Sequence, residues 1–228
     1  MPQKNKDMLL EVCCGNRQSA INAASAGAKR IELCRDLQLG GLTPSHEDIL
    51  YCQEHLPLQT FVLIRPRGGD FCYTAEEFNE ILADIAFCRD HSIPGVVIGF
   101  LKEDLTIDID KCQKALKEAG NMQVTFHRAF DRCKKWQVAL EQIIECGFNR
   151  ILTSGQQPTA IGGAATLAEI VKQAHGRITI LAGSGVGSEN VSELILRSHV
   201  DEVHASCKLN RDVSQPEEIK LIISKLVN

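Results

Sequence analysis

The sequence predicts an α/β protein folded as a single (β/α)8 barrel. Eight short β-branched runs begin near Leu9, Ile31, Thr60, Val96, Val124, Ile151, Ile178 and Val203, about 22 to 36 residues apart. A strand with its crossover helix occupies roughly 30 residues. The 228 residues match the roughly 200–250 of such barrels. No Ser/Gly linker, composition shift or low-complexity tract divides the chain. An open doubly wound sheet is the alternative, and eight near-equal units without a break favour closure. The expected domain is 1–228, with a core of about 8–207 and a C-terminal helix over 216–227.

Each element has a local reason. Alternate strand residues face opposite sides. The first strand puts Leu10 and Val12 on one face, with Leu9, Glu11 and Cys13 on the other. The second sets Ile31 and Leu33 against Glu32 and Cys34. Pro44-Ser45 then looks like a helix start. The third strand sets Val62 and Ile64 against Leu63 and Arg65. Phe78, Ile81, Leu82, Ile85 and Ala86 form a helical stripe after it. The fifth strand sets Val124 and Phe126 against Thr125 and His127. Leu140, Ile143 and Ile144 mark a further helix, with Gly147 as its stop. A helix is expected to start near Ser188. The eighth strand sets Val203 and Ala205 against Glu202, His204 and Ser206. Gln215-Pro216 opens the last helix.

The purely apolar faces must pack on the helices, so the mixed faces point inward. That places Glu11, Glu32, Arg65, His127 and His204 inside the barrel. Buried charges are costly unless paired or near an open end. One reading is an ion-pair network that only fixes register. The other is a polar pocket at the C-terminal ends of the strands, where barrel active sites lie. With Asp131 in the loop after His127, these residues are candidates for acid–base work.

Three turns are candidate anion sites. Arg65-Pro66-Arg67-Gly68-Gly69-Asp70 offers two guanidiniums beside exposed N–H groups. Ser154-Gly155 ends the sixth strand, and Gly183-Ser184-Gly185 ends the seventh, close to where barrels bind phosphate. Arg128 lies beside His127. Ordinary tight turns are the bland alternative.

The ten cysteines contain no CxxC pair. Cys13 and Cys34 end adjacent strands with the same parity, and Cys72 follows the third-strand loop. Two or three thiolates suit Cu(I), although buried cysteines are commonly small hydrophobes. The remaining cysteines read as packing residues. Lys4 and Lys6 precede no long apolar stretch, and the longest apolar run, about Ile93 to Leu101, cannot span a bilayer. A cytosolic protein with reduced thiols is expected. The net charge of −4 argues against a dedicated nucleic-acid or membrane-surface binder.

Several segments together resemble the CutC family, the so-called copper homeostasis proteins. They are "LLEVCCGNRQSAINAASAGAKRIELC", "GGLTPS", "IRPRGGDFCY", "VTFHRAFD", "RILTSG" and "EVHAS", in that order over Leu9 to Ser206. The resemblance implies a TIM-like barrel in the cytoplasm, a homodimer or higher homo-oligomer, and a role in handling intracellular copper. Its motifs carry Glu11, Cys13, Glu32, Cys34, Arg65, Arg67, His127, Arg128, Asp131, His204 and Ser206. Two features depart from the pattern. Leu39 stands where a carboxylate is expected, and only Lys208 to Gln215 separates the eighth strand from the last helix, which puts a lid role there in doubt.

Two functions follow. The first is Cu(I) binding by Cys13 and Cys34 with Cys72. The second is an enzyme of isomerase, aldolase or lyase type acting on a small anionic or phosphorylated metabolite, held by Arg65, Arg67 and the late glycine turns. His127 or Glu32 would then be the base. A scaffold barrel with a filled mouth ranks last. No Walker loop, early GxGxxG or HExxH occurs.

Overall fold

A computed structural model describes residues 8–227. The strands are β1 (Leu9–Cys14), β2 (Arg30–Leu33), β3 (Gln59–Leu63), β4 (Gly95–Ile98), β5 (Gln123–Phe126), β6 (Arg150–Thr153), β7 (Thr179–Ala182) and β8 (Glu202–Ala205). They alternate with α1 (Arg17–Ser25), α2 (His46–His55), α3 (Ala75–Asp90), α4 (Ile109–Ala119), α5 (Trp136–Cys146), α6 (Ala164–Ala174), α7 (Val191–Ser198) and α8 (Pro216–Leu226). All strand pairs are parallel, and β1 pairs with β8 through Glu11 and His204 to close the barrel. Every strand starts within one residue of its predicted position.

The helix punctuation follows the local chemistry. Ser45 caps α2 by accepting from the Asp48 N–H. Thr74 and Glu77 form a reciprocal capping box on α3. Gly147 stops α5 at φ 98°, a left-handed conformation that favours glycine. Pro216 sits in the first turn of α8. The helix expected near Ser188 begins instead at Val191, after a turn in which the Asn190 N–H bonds the Gly187 carbonyl.

Strand parity divides the apolar residues into two cores. Leu10, Val12, Ile31, Leu33, Val62, Val124, Phe126 and Val203 join the layer between sheet and helices. Cys13, Cys34, Phe61, Leu63 and Val97 form a separate cluster inside the barrel. Phe61 crosses to β4, where a Cβ on Gly95 would lie 2.7 Å from its ring. That glycine makes room for the one large aromatic side chain of the inner cluster.

Candidate functional site

The lower interior holds charges rather than hydrocarbon. Arg30 donates through Nε to Glu11 (2.6 Å) and through its terminal nitrogens to Glu202. Arg150 donates to Glu202 (2.8 Å). Both guanidiniums lie over the Phe61 ring, at 5.1 and 5.3 Å. Burial alone would raise the Glu11 pKa, but Arg30 and His204 outweigh it and hold it at about 2. Burial is likewise outweighed at Glu202, by Arg30 and Arg150, and its pKa is lowered.

His204 links this layer to the mouth. Its Nδ1 lies 2.9 Å from Glu11, and its Nε2 lies 3.7 Å from Glu32. Burial opposes its charge, yet Glu32, Cys13 and Glu11 raise its pKa well above 6.5. A carboxylate facing each ring nitrogen therefore favours the protonated ring. Glu32 is raised by burial and by Glu11, with His204 opposing.

Above these groups opens a pocket of about 120 Å3. Its walls include Cys13, Glu32, Cys34, Leu37, Arg65, Phe71, His127, Arg128 and His204. One wall is soft. The sulfurs of Cys13 and Cys34 and a Glu32 oxygen lie within 4.8 Å of one another. Cys13 donates to Glu32 at 3.4 Å. The neighbouring Cys34 thiol, burial and Glu32 push the Cys13 pKa up.

The other wall is a set of donors. Arg65 lies two residues beyond β3 and donates to the carbonyls of Leu39 (2.9 Å), Gly41 (3.0 Å) and Gly69 (3.0 Å). Its charge meets no carboxylate among the described residues. His127 Nδ1 accepts from the Ala129 N–H at 3.2 Å, which assigns the ring proton to Nε2. Burial and Arg65 lower the His127 pKa to about 3, so the ring is neutral. Nε2 is buried without a hydrogen-bond partner.

The inward set of Glu11, Glu32, Arg65, His127 and His204 is thus buried within the barrel. All but Glu11, which lies deeper, line the mouth pocket. Other expected site residues are committed elsewhere. Cys72 lies outside the Cys13–Glu32–Cys34 group and lines a separate polar pocket with Lys102, Glu103, Asp108 and Lys111. Arg67 is held by Glu77 (2.5 Å) and Asp70 (3.0 Å), pinning the β3 loop to α3.

The first late glycine turn already holds an internal carboxylate, and the segment just after the second holds another. Asp131 accepts from the backbone N–H groups of Ser154 and Gln156, while the Gly155 N–H bonds Thr153. Ser154 Oγ and Arg128 also bond Asp131, at 3.0 and 2.8 Å. Asp131 is a loop anchor that does not line the mouth pocket. After β7, Glu218 binds both the N–H and the hydroxyl of Ser188. The Gly183 N–H serves the backbone ladder by bonding the Thr153 carbonyl, and Gly185 turns at φ 69°. Arg30, Arg150 and Glu202 are the charged interior residues missing from the expected inward set, although the parity of the eighth strand already put Glu202 on the face of His204. Extending β2 and β6 one residue earlier, with the parity of Glu32 and Leu152, would have found the two arginines.

The His127 assignment has a pH consequence. An unfolded imidazole gains its proton below about pH 6.5, whereas folded His127 stays neutral down to about 3. Stability must therefore fall as pH drops through that window, by about 2 kcal/mol between pH 6.5 and 5. Glu11 adds a loss from pH 4.5 toward 2. His204 has the opposite sign: its contribution is full below about pH 6.5 and is lost as pH rises through its raised folded pKa. Urea unfolding between pH 7 and 5 should show the loss in the wild type and a flatter profile in His127→Gln. Equal slopes would contradict a neutral His127.

Comparison with known proteins agrees with the barrel and extends to sequence. The model of the CutC family matches residues 8–209. A family protein CutC of Histophilus somni is 44% identical over 207 residues, covering 91% of this chain and 85% of its own length. One from Chromobacterium violaceum is 42% identical over 202 residues, covering 89% and 82%. The solved CutC structure from Streptococcus agalactiae, named for copper homeostasis, superposes with a TM-score of 0.84 at 29% identity, over 87% of this chain and 98% of that one. A phosphoribosylanthranilate isomerase from Thermotoga maritima shares the fold at 15% identity, with a TM-score of 0.63 over 96% and 98% of the two chains. Matched along most of its length by both sequence and barrel, the chain belongs to the CutC family.

Proposed function

We propose that the chain binds Cu(I) as cargo at the barrel mouth, through Cys13 and Cys34 with Glu32 beside them. The observation that carries this reading is the approach of the two sulfurs and the carboxylate to within 4.8 Å. Soft thiolates suit Cu(I). Charge supports it as well. With Glu32 ionised, Arg30, Arg150, Arg65 and protonated His204 leave one positive charge over Glu11, Glu32 and Glu202. Cu(I) held by two thiolates carries one negative charge, which cancels that excess. Both thiols must lose protons on binding, so affinity should rise with pH. The reading belongs in the reducing cytosol, where all ten free cysteines would remain thiols. A homodimer or higher homo-oligomer goes with the family resemblance and is not required by the pocket.

A second reading is an enzyme acting on a small organic anion, of isomerase, aldolase or lyase type. It is favoured by the Arg65 charge, which pairs directly with no carboxylate among the described residues, beside the His127 Nε2, which has no hydrogen-bond partner among them.

Titration of the reduced, oxygen-free protein with Cu(I) against a competing chelator should give tight one-to-one binding. The Cys13→Ser/Cys34→Ser variant should lose it, whereas Cys72→Ser should keep it. Weak, multi-site or variant-independent binding would overturn the copper site. For the second reading, millimolar oxalate should raise the melting temperature of the metal-free wild type and leave that of Arg65→Met unchanged. No shift in the wild type would contradict an anion pocket.

A further inference from the structure

We propose that the hard wall of the mouth pocket is a subsite for a 2-oxo acid, with the carboxylate on Arg65 and the neutral oxo oxygen on His127 Nε2–H. This deepens the second reading above and rests on it. Two donors of different charge share one aromatic wall. The Phe71 ring lies 4.7 Å from the His127 ring and 5.0 Å from Arg65 Cζ. Both residues line the same pocket, with the His127 Nε2 atom itself buried behind its wall.

Each donor is held in place before any ligand arrives. Three backbone carbonyls fix the Arg65 guanidinium. The Ala129 N–H fixes the His127 ring and its tautomer. A Cβ on Gly99 would lie 2.4 Å from His127 Nδ1 and 2.5 Å from Cε1, so the absence of a side chain lets the imidazole lie against the backbone just beyond β4. His127 is 5% exposed, and its Nε2 makes no hydrogen bond. A buried donor left unpaired destabilises the site, and a ligand acceptor would relieve it.

The charges of the donors set the ligand class. A guanidinium matches a carboxylate. A neutral N–H matches a neutral carbonyl oxygen better than a second anionic group. Placed side by side, they match adjacent carboxylate and oxo groups. The pocket volume of about 120 Å3 suits a molecule of a few carbons. Phosphate is a poor fit, because the N–H groups of Ser154 and Gln156 serve Asp131, and that of Ser188 serves Glu218. His127 is on this view a specificity-determining residue, since a site built to bond an oxygen rejects the analogue that lacks it.

The test is calorimetry of the reduced, metal-free protein with pyruvate, propionate and inorganic phosphate. Pyruvate should bind at least about tenfold more tightly than propionate, which has no oxo group, with phosphate weakest. His127→Phe should bring the pyruvate-to-propionate ratio to about one while retaining propionate binding. Gly99→Ala, which keeps every donor but displaces the ring, should narrow the ratio in the same direction. His127→Gln, which restores an N–H donor, should recover part of it. Phosphate binding as tight as pyruvate, or a ratio unmoved by His127→Phe, would overturn the 2-oxo acid subsite and leave the anion pocket standing. No binding of any probe would overturn both.

Discussion

Closing eight parallel strands leaves an interior that side chains must fill, and here the lower half is filled by the ion pairs of Arg30. That guanidinium touches Glu11 and Glu202, and Arg150 completes the set on Glu202. Phe61 lies against both cations and separates them from β4. A buried ion must be paired and hydrogen-bonded, and removing one partner of such a pair costs about 3–5 kcal/mol. The state of the mouth depends on this layer. Ionised Glu11 favours the protonated His204 ring, and His204 in turn faces Glu32.

The mouth then divides by chemical hardness. Cys13 and Cys34 make one wall soft and polarisable, whereas Arg65 and His127 make the other a set of fixed N–H donors. These walls need not describe rival functions of the molecule. A Cu(I) bis-thiolate is itself an anion, and an organic carboxylate likewise answers the Arg65 charge that remains once the interior ion pairs are balanced. Two imidazoles mark the division. His204 sits between two carboxylates and gains charge, while His127 sits beside a cation and loses it.

The sequence made the strands legible because burial on one face leaves a period of two. That parity separates Val12 from Glu11 and Ile31 from Glu32, and it puts Cys13 beside Cys34. Arg30 and Arg150 escaped because each sits at the first residue of its strand, where the apolar pattern has not yet begun. The loops were less legible for a different reason. Whether a glycine turn is open to an anion depends on which distant carboxylate reaches it. Asp131 comes from the preceding βα loop, and Glu218 comes from the last helix. Nothing in Ser154-Gly155 or Gly183-Ser184-Gly185 encodes those partners locally. Arg67 and Cys72 likewise belong to the motif that supplies Arg65, yet the turn sends them outward to Glu77 and to a second pocket.

The arrangement of the mouth is electrostatic: one barrel holds two buried histidines whose surroundings push their protonation in opposite directions. The direct measurement is the pair of ring-nitrogen chemical shifts for each histidine in 15N-labelled protein near pH 7, assigned with His127→Gln and His204→Gln. The expected spectrum shows His127 neutral with its proton on Nε2, and His204 protonated on both nitrogens. A charged His127, or a neutral His204, would contradict the arrangement of charge on which the two walls of the mouth rest.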